Sequence, residues 1–238
     1  MIAATARVSP VTASRLAGAL YLFTMATSVV SEMVVKANLV VDGNATATAA
    51  NIMAARPLFR LGLACDLLTS VGVAALIWAV YLVLRPVNRD LALLGLSFRF
   101  VETAVGFGVI CLNFVALRFL SSASYLTSIP AEQLHSLALV ALNSRAVSLN
   151  VVFLLLGTGS TVFASLWLKS GFIPRWLALL GIVGSLLLSI YAFAMIVYPP
   201  IARFGIMPML PLGVFEVTMG FWLLIGARRI GALSAATA

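Results

Sequence analysis

Along the chain, long apolar runs are separated by short polar breaks, and the runs predict six membrane-spanning helices at 16–35, 58–84, 91–119, 147–168, 176–198 and 209–227. Each approaches or exceeds the roughly 20 apolar residues that cross a hydrocarbon layer about 30 Å thick. The expected architecture is all-α: one polytopic transmembrane bundle of about six spans filling 1–238, with short interfacial helices in the outer loops. Connections alternate long and short, and the two tight ones, 85–90 and 169–175, share a side with both termini. In the first long connection, Asp42-Gly43-Asn44 reads as a turn and 46–53 as a surface helix. In the second, Ser128-Ile129-Pro130-Ala131-Glu132 reads as a helix start with a hydroxyl cap, an early proline and an early acid. The helix it opens is apolar enough to dip into the interface or to run on into the fourth span. Arg15 ahead of an apolar run is also the pattern of a secretory leader. That run is longer than a cleavable h-region of about 7–15 residues and lacks a small-residue cleavage site, so a retained first helix is expected.

Composition fits the pattern. Hydrophobic residues make up 63% and charged residues 9% of the chain, against about 25% charged in a soluble domain, which leaves no length for a separate soluble domain. The net charge of +8 is spread over the ends of apolar runs, so the expected partner is the lipid bilayer, with a lipophilic small molecule as a further candidate and no nucleic acid. Arg7, Arg15, Arg85, Arg89, Lys169, Arg175, Arg228 and Arg229 flank the termini and short loops, against Lys36, Arg56, Arg60, Arg118, Arg145 and Arg203 on the other side. The positive-inside rule then puts both termini in the cytoplasm, with the bundle in the plasma membrane. Cys65 and Cys111 lie inside apolar runs without CxxC or metal-ligand spacing and are expected as buried free thiols.

The chemistry lies in polar residues that interrupt the spans, because a charge at mid-bilayer costs several kcal/mol and needs a partner. On the third span, Gly95, Arg99, Glu102, Gly106 and Asn113 share a narrow arc at 100° per residue. Arg99 and Glu102 can pair, and the two glycines are expected to let a neighbour approach. The sixth span carries Gly213, Glu216 and Gly220, the first a stripe from Tyr21 to Glu32, the second Asp66 with Thr69, Ser70 and Arg60, and the fourth Asn150 with Gly157 and Thr158. Counting about 1.5 Å per residue puts Glu102 near the midplane, Asp66 and Glu216 about a third of the way in from outside, and Glu32 near the outer edge. Four carboxylates thus converge, against Arg99 and Arg60, with Arg145 as a further cation. With acids in excess in a low-dielectric site, at least one is expected to hold a proton near neutral pH.

Other motifs are weaker. Glu132-Gln133-Leu134-His135 matches half of a di-metal bundle motif but occurs once, in a connection, so a helix start is the better reading. His135 is the only histidine, and no Walker loop, GxGxxG or GxSxG occurs, so no cofactor or metal is expected.

Several strings resemble a known family. They are Phe59-Arg60-Leu61-Gly62 followed by Asp66-Leu67, Pro86-Val87-Asn88-Arg89, Phe98-Arg99-Phe100-Val101-Glu102, Ser170-Gly171-Phe172-Ile173-Pro174-Arg175, and Glu216 with Trp222-Leu223-Leu224. Their order and spacing resemble the family called domain of unknown function 4386 over essentially the whole chain. The resemblance implies a bacterial multi-pass membrane protein without a settled biochemical role. It also implies that Arg60, Asp66, Arg99, Glu102 and Glu216 belong to the family's pattern, from which Asn143-Ser144-Arg145 departs.

Three functions fit these residues. The first is binding of a lipophilic or amphipathic small molecule in a polar-floored intramembrane pocket lined by Arg99, Arg60, Glu32, Asn113 and Asn150. The second is acid–base catalysis on a lipid or isoprenoid, of the cyclase or isomerase type, with Glu102, Asp66 and Glu216 as the acids and bases. The third is proton-coupled transport, with the same acids as a relay and Pro199-Pro200 and Pro208-Met209-Leu210-Pro211 bracketing a hinge.

Overall fold

A computed structural model describes residues 8–41, 44–121 and 128–237. Asp42 and Gly43 of the expected turn, and Arg7, lie outside them. Helix α1 (Pro10–Val29) begins where Ser9 Oγ accepts the Thr12 N–H at 3.1 Å and Pro10 occupies the first turn, ahead of the expected start at 16. It continues without a break through a seven-residue π-helix (Val30–Lys36) into α2 (Ala37–Leu39). The surface helix α3 (Ala45–Ala54) follows, capped by Asn44. The remaining helices are α4 (Arg56–Leu84), α5 (Arg89–Phe119), α6 (Ala131–Ser170), α7 (Arg175–Val197) and α8 (Leu210–Thr237), with two 3₁₀ turns before the last. No strand occurs among the described residues, and six helices are long and apolar enough to cross a membrane. The all-α bundle of six spans is therefore the observed architecture.

The second outer connection takes the second of its two expected courses. Its helix runs on into the fourth span, giving α6 40 residues, about 60 Å and twice the hydrocarbon thickness. Ser128 does not cap it. Pro130 takes the N-cap position with φ −56° and ψ 141°, Glu132 sits in the first turn, and Gly171 closes the far end at φ +65°, a conformation glycine adopts at little cost.

The six spans close into a ring in chain order: α1 packs on α4, α4 on α5, α5 on α6, α6 on α7, α7 on α8, and α8 returns to α1. Between helices in lipid the drive is close van der Waals contact rather than escape from water. Gly18 shows this, since a Cβ there would stand 2.7 Å from the Gly220 carbonyl oxygen across the α1–α8 contact. One core, around Trp167, Phe172, Leu84, Leu177 and Leu223, fills the end of the ring that holds the start of α1, the end of α8 and the two short turns. A second core joins Ile52 of α3, Phe59 and Leu63 of α4, and Ala138, Ala141 and Leu142 of α6 at the distal end. The π-helix contributes Val35 to it.

Candidate functional site

Between these cores lies a cavity of about 230 Å³, walled by α1, its π-helix, α4, α5, α6 and α8. Its walls are mixed. Met25, Val73, Leu76, Val109, Ile110, Leu149, Val152, Phe153 and Leu156 are apolar, and Thr24, Ser28, Thr69, Ser70 and Thr103 bring hydroxyls. Charge is confined to two levels.

The distal level is a closed network. The Lys36 ammonium stands 2.9 Å from Glu32 and 2.8 Å from Asp66, Arg145 of α6 also pairs with Glu32, and the Ser31 hydroxyl donates to Asp66 at 2.6 Å. The π-helix makes this possible. Ser31 and Lys36 are five residues apart, about 140° around an ordinary α-helix, whereas i→i+5 winding brings them into line so that both clasp one carboxylate. The Arg145–Glu32 pair crosses the ring, joining two helices that are not neighbours in it.

The deep level is built differently. Arg99 and Glu102, 4% and 6% exposed, face each other at 3.4 Å on successive turns of α5. Glycines hold the arginine in place: a Cβ at Gly159 of α6 would stand 2.8 Å from Arg99 Cγ, and one at Gly95 would stand 2.8 Å from the Phe163 ring. Neither Arg99 Nη1 nor Glu102 Oε2 has a hydrogen-bond partner. Glu216 of α8 joins them on the cavity wall, with no ion pair among the described residues. Beneath Arg99 the space shrinks to a void of about 10 Å³ among Tyr21, Ser160, Phe163, Trp167 and Phe215, and the terminal core begins.

The sequence pattern of a family described as Domain of unknown function (DUF4386) matches residues 16–226, reaching into all six spans. The chain belongs to this family. No curated protein and no solved structure matches it.

In this DUF4386 bundle, Glu32, Asp66, Arg99, Glu102 and Glu216 all reach the one cavity. Arg60, Asn113 and Asn150 do not. Arg60 is exposed on the outer face of α4, in a separate groove with Arg118. Asn113 shares the expected arc of α5 and is 1% exposed, but it sits beyond the cavity with neither amide atom hydrogen-bonded. Asn150 is half-buried on α6, outside the lining.

Two further expectations are corrected. Gly106 admits no neighbour, since nothing lies within 4 Å of a Cβ built there, because it faces the cavity and not a helix. Cys65 is buried but Cys111 is exposed, because nine residues place it about 180° around α5 from Glu102.

Sequence reasoning left Lys36 out of the site, although Glu32 and Lys36 at i,i+4 are a readable ion-pair signal. Arg145 had no such local signal: its partner is 113 positions away. With Lys36 added to Arg99 and the expected Arg145, four carboxylates meet three cations around the cavity.

Proposed function

We propose that this protein binds an amphipathic small molecule within the membrane, its polar head on Arg99, Glu102 and Glu216 and its apolar part against the cavity wall. We also infer that the membrane is the plasma membrane, with both termini cytoplasmic, on the excess of Lys and Arg around the short loops. The observation that carries the binding reading is the unsatisfied floor. A buried polar atom without a hydrogen bond costs on the order of 1–3 kcal/mol, and here Arg99 Nη1 and Glu102 Oε2, held only by each other's charge across 3.4 Å, both lack one on the wall of an open space. A head that accepts from Arg99 and donates to the two glutamates, such as an amino alcohol or an amide, repays that cost. At about 230 Å³ the space falls just below the roughly 300–1,000 Å³ of drug-sized sites, which favours a compact molecule or a single headgroup over a whole phospholipid.

The test is mass spectrometry of the organic extract of purified protein, wild type beside Glu216→Gln. The expected result is a low-mass amphiphile retained by the wild type and depleted at least tenfold in the variant, with thermal stability preserved because Glu216 has no ion pair to lose. Extracts that contain only bulk lipid, identical in both, would reject the reading.

A second reading, proton-coupled transport, is favoured by what bounds the cavity: packed core below Arg99 and an ion-paired strap from Glu32 to Arg145 near the distal end. Reconstituted vesicles separate the two, since a carrier acidifies or alkalinises the lumen when amphiphile is added and a binder does not.

A further inference from the structure

The lining of the central cavity is uneven around the ring. Among the described residues, α1 with its π-helix, α4, α5 and α6 each supply several wall positions, whereas α8 supplies Glu216 alone and α7 supplies none. The thin side is therefore the one between α1 and α6, where α7 and α8 intervene in the ring. Both ends of the ring are filled instead, by the terminal core around Trp167 and by the distal core that joins α3, α4 and α6. Two stripes of wall residues border the thin side. Thr24, Ser28 and Glu32 recur every four residues on α1 and its π-helix, and Phe153, Leu149 and Arg145 do so on α6. At the distal end of these stripes Arg145 reaches Glu32 and ties the two helices together. This tie differs from the ion pair beside it. Lys36 and Asp66 join the π-helix to its neighbour α4 and are well buried, while Arg145 and Glu32 keep 19% and 39% of their side chains exposed. Glu32 also has Lys36 at 2.9 Å, so releasing Arg145 does not strip that carboxylate of its charge partner. Salt and solvent weaken a partly exposed pair far more than a buried one.

We propose that the Glu32–Arg145 pair is a strap across a side mouth between α1 and α6, and that an amphiphile passes it to reach the cavity from the distal leaflet. This rests on the binding reading above and adds to it the ligand's route, which selects molecules that partition into lipid. A molecule dissolved in the leaflet meets the mouth near headgroup depth, where its polar head exchanges with the charges of the strap before it reaches Arg99. The long stem of Arg145 lets its guanidinium swing to the headgroup level once released.

The experiment reads access with a thiol and needs no bound amphiphile, so its outcome is separate from that of the extraction. Gly106→Cys puts the thiol on the cavity wall, where a Cβ meets nothing within 4 Å, in a Cys65→Ala background. Cys111, exposed on α5 away from the cavity, stays as the reference. The protein in nanodiscs is treated with N-ethylmaleimide, labelling at the two positions is followed by peptide mass spectrometry, and unfolding midpoints are recorded. With the strap intact, the cavity thiol is expected to react slowly relative to Cys111. Arg145→Gln and, separately, Glu32→Gln should each speed it by roughly fivefold, the scale of one partly exposed ion pair. Arg145→Lys keeps the pair and should stay within about twofold of the intact strap. High salt should speed labelling when the strap is intact and leave the Arg145→Gln rate unchanged, a response that a pair acting only in packing does not give. A maleimide carrying a fixed sulfonate should lag N-ethylmaleimide, each rate being scaled to that with cysteine in solution. Unchanged labelling in both neutral variants, or a parallel rise at Cys111, overturns the strap. A sulfonated reagent that keeps pace with N-ethylmaleimide overturns entry from lipid.

Discussion

At one end of the ring, Gly18 of α1 comes so near α8 that a single added carbon would touch backbone at 2.7 Å and 2.8 Å. At mid-span, Gly106 of α5 has nothing within 4 Å of the same position. Two glycines in similar apolar helices thus do opposite things, one closing a contact and the other leaving space. The terminal half is filled by large side chains meeting small ones, as with Phe163 over Gly95. Between this half and the distal core, facing positions carry hydroxyls and charges around a hollow. Lipid tails offer these groups no partner, so they turn inward and the space between them persists.

The largest expected effect tests the solid half. Gly18→Val pushes two backbones apart, and overpacking of this kind costs about 3 kcal/mol or more because no flexible side chain can yield. Thermal unfolding in detergent should show a large drop in midpoint or failure to fold, and a variant as stable as wild type would mean that the α1–α8 contact is looser than Gly18 implies.

The next tests the boundary between the halves. Arg99→Met leaves Glu102 buried opposite no cation, which costs about 3 kcal/mol. Replacing both, Arg99→Met with Glu102→Met, removes the charge pair together and is expected to recover most of that loss, since apolar replacement of a buried pair is often neutral or stabilising. A double-mutant cycle on unfolding midpoints measures the coupling. Additive losses would show that the pair at 3.4 Å does not act as a unit.

The solid half was the easier one to read from sequence. Apolar runs of spanning length fixed the number and order of helices, and the 100° period put Arg99 and Glu102 on one face of α5. Depth counting from the run ends brought Glu32, Asp66, Glu102 and Glu216 to a common zone, and all four line the cavity. What escaped depends on rotation about each helix axis and on departures from α geometry. Arg60 lies only six positions from Asp66, but that step is about 240° around the helix, enough to carry it to the lipid face. The π-helix at Val30–Lys36 leaves no mark in a 3.6-residue pattern, so nothing indicated that Ser31 and Lys36 would close on one carboxylate. Gly106 read as a contact glycine because sequence gives the small residue without saying what stands opposite it.

The smallest change in stability carries the sharpest information about the hollow half. Gly106→Leu introduces an isobutyl group whose Cβ meets no atom within 4 Å and whose remaining carbons point into the cavity, and replacing a mid-helix glycine favours the helix by roughly 1 kcal/mol. The unfolding midpoint is therefore expected to rise slightly. The same side chain enters the cavity of about 230 Å³ beside Glu102 and Thr103, taking the volume that an amphiphile would occupy. A protein that is more stable yet retains no small molecule separates a site from a packing defect, because filling a mere defect changes stability and nothing else. If Gly106→Leu holds the same extractable molecule as wild type, the molecule sits outside this cavity, and the unsatisfied Arg99 and Glu102 are served by water instead.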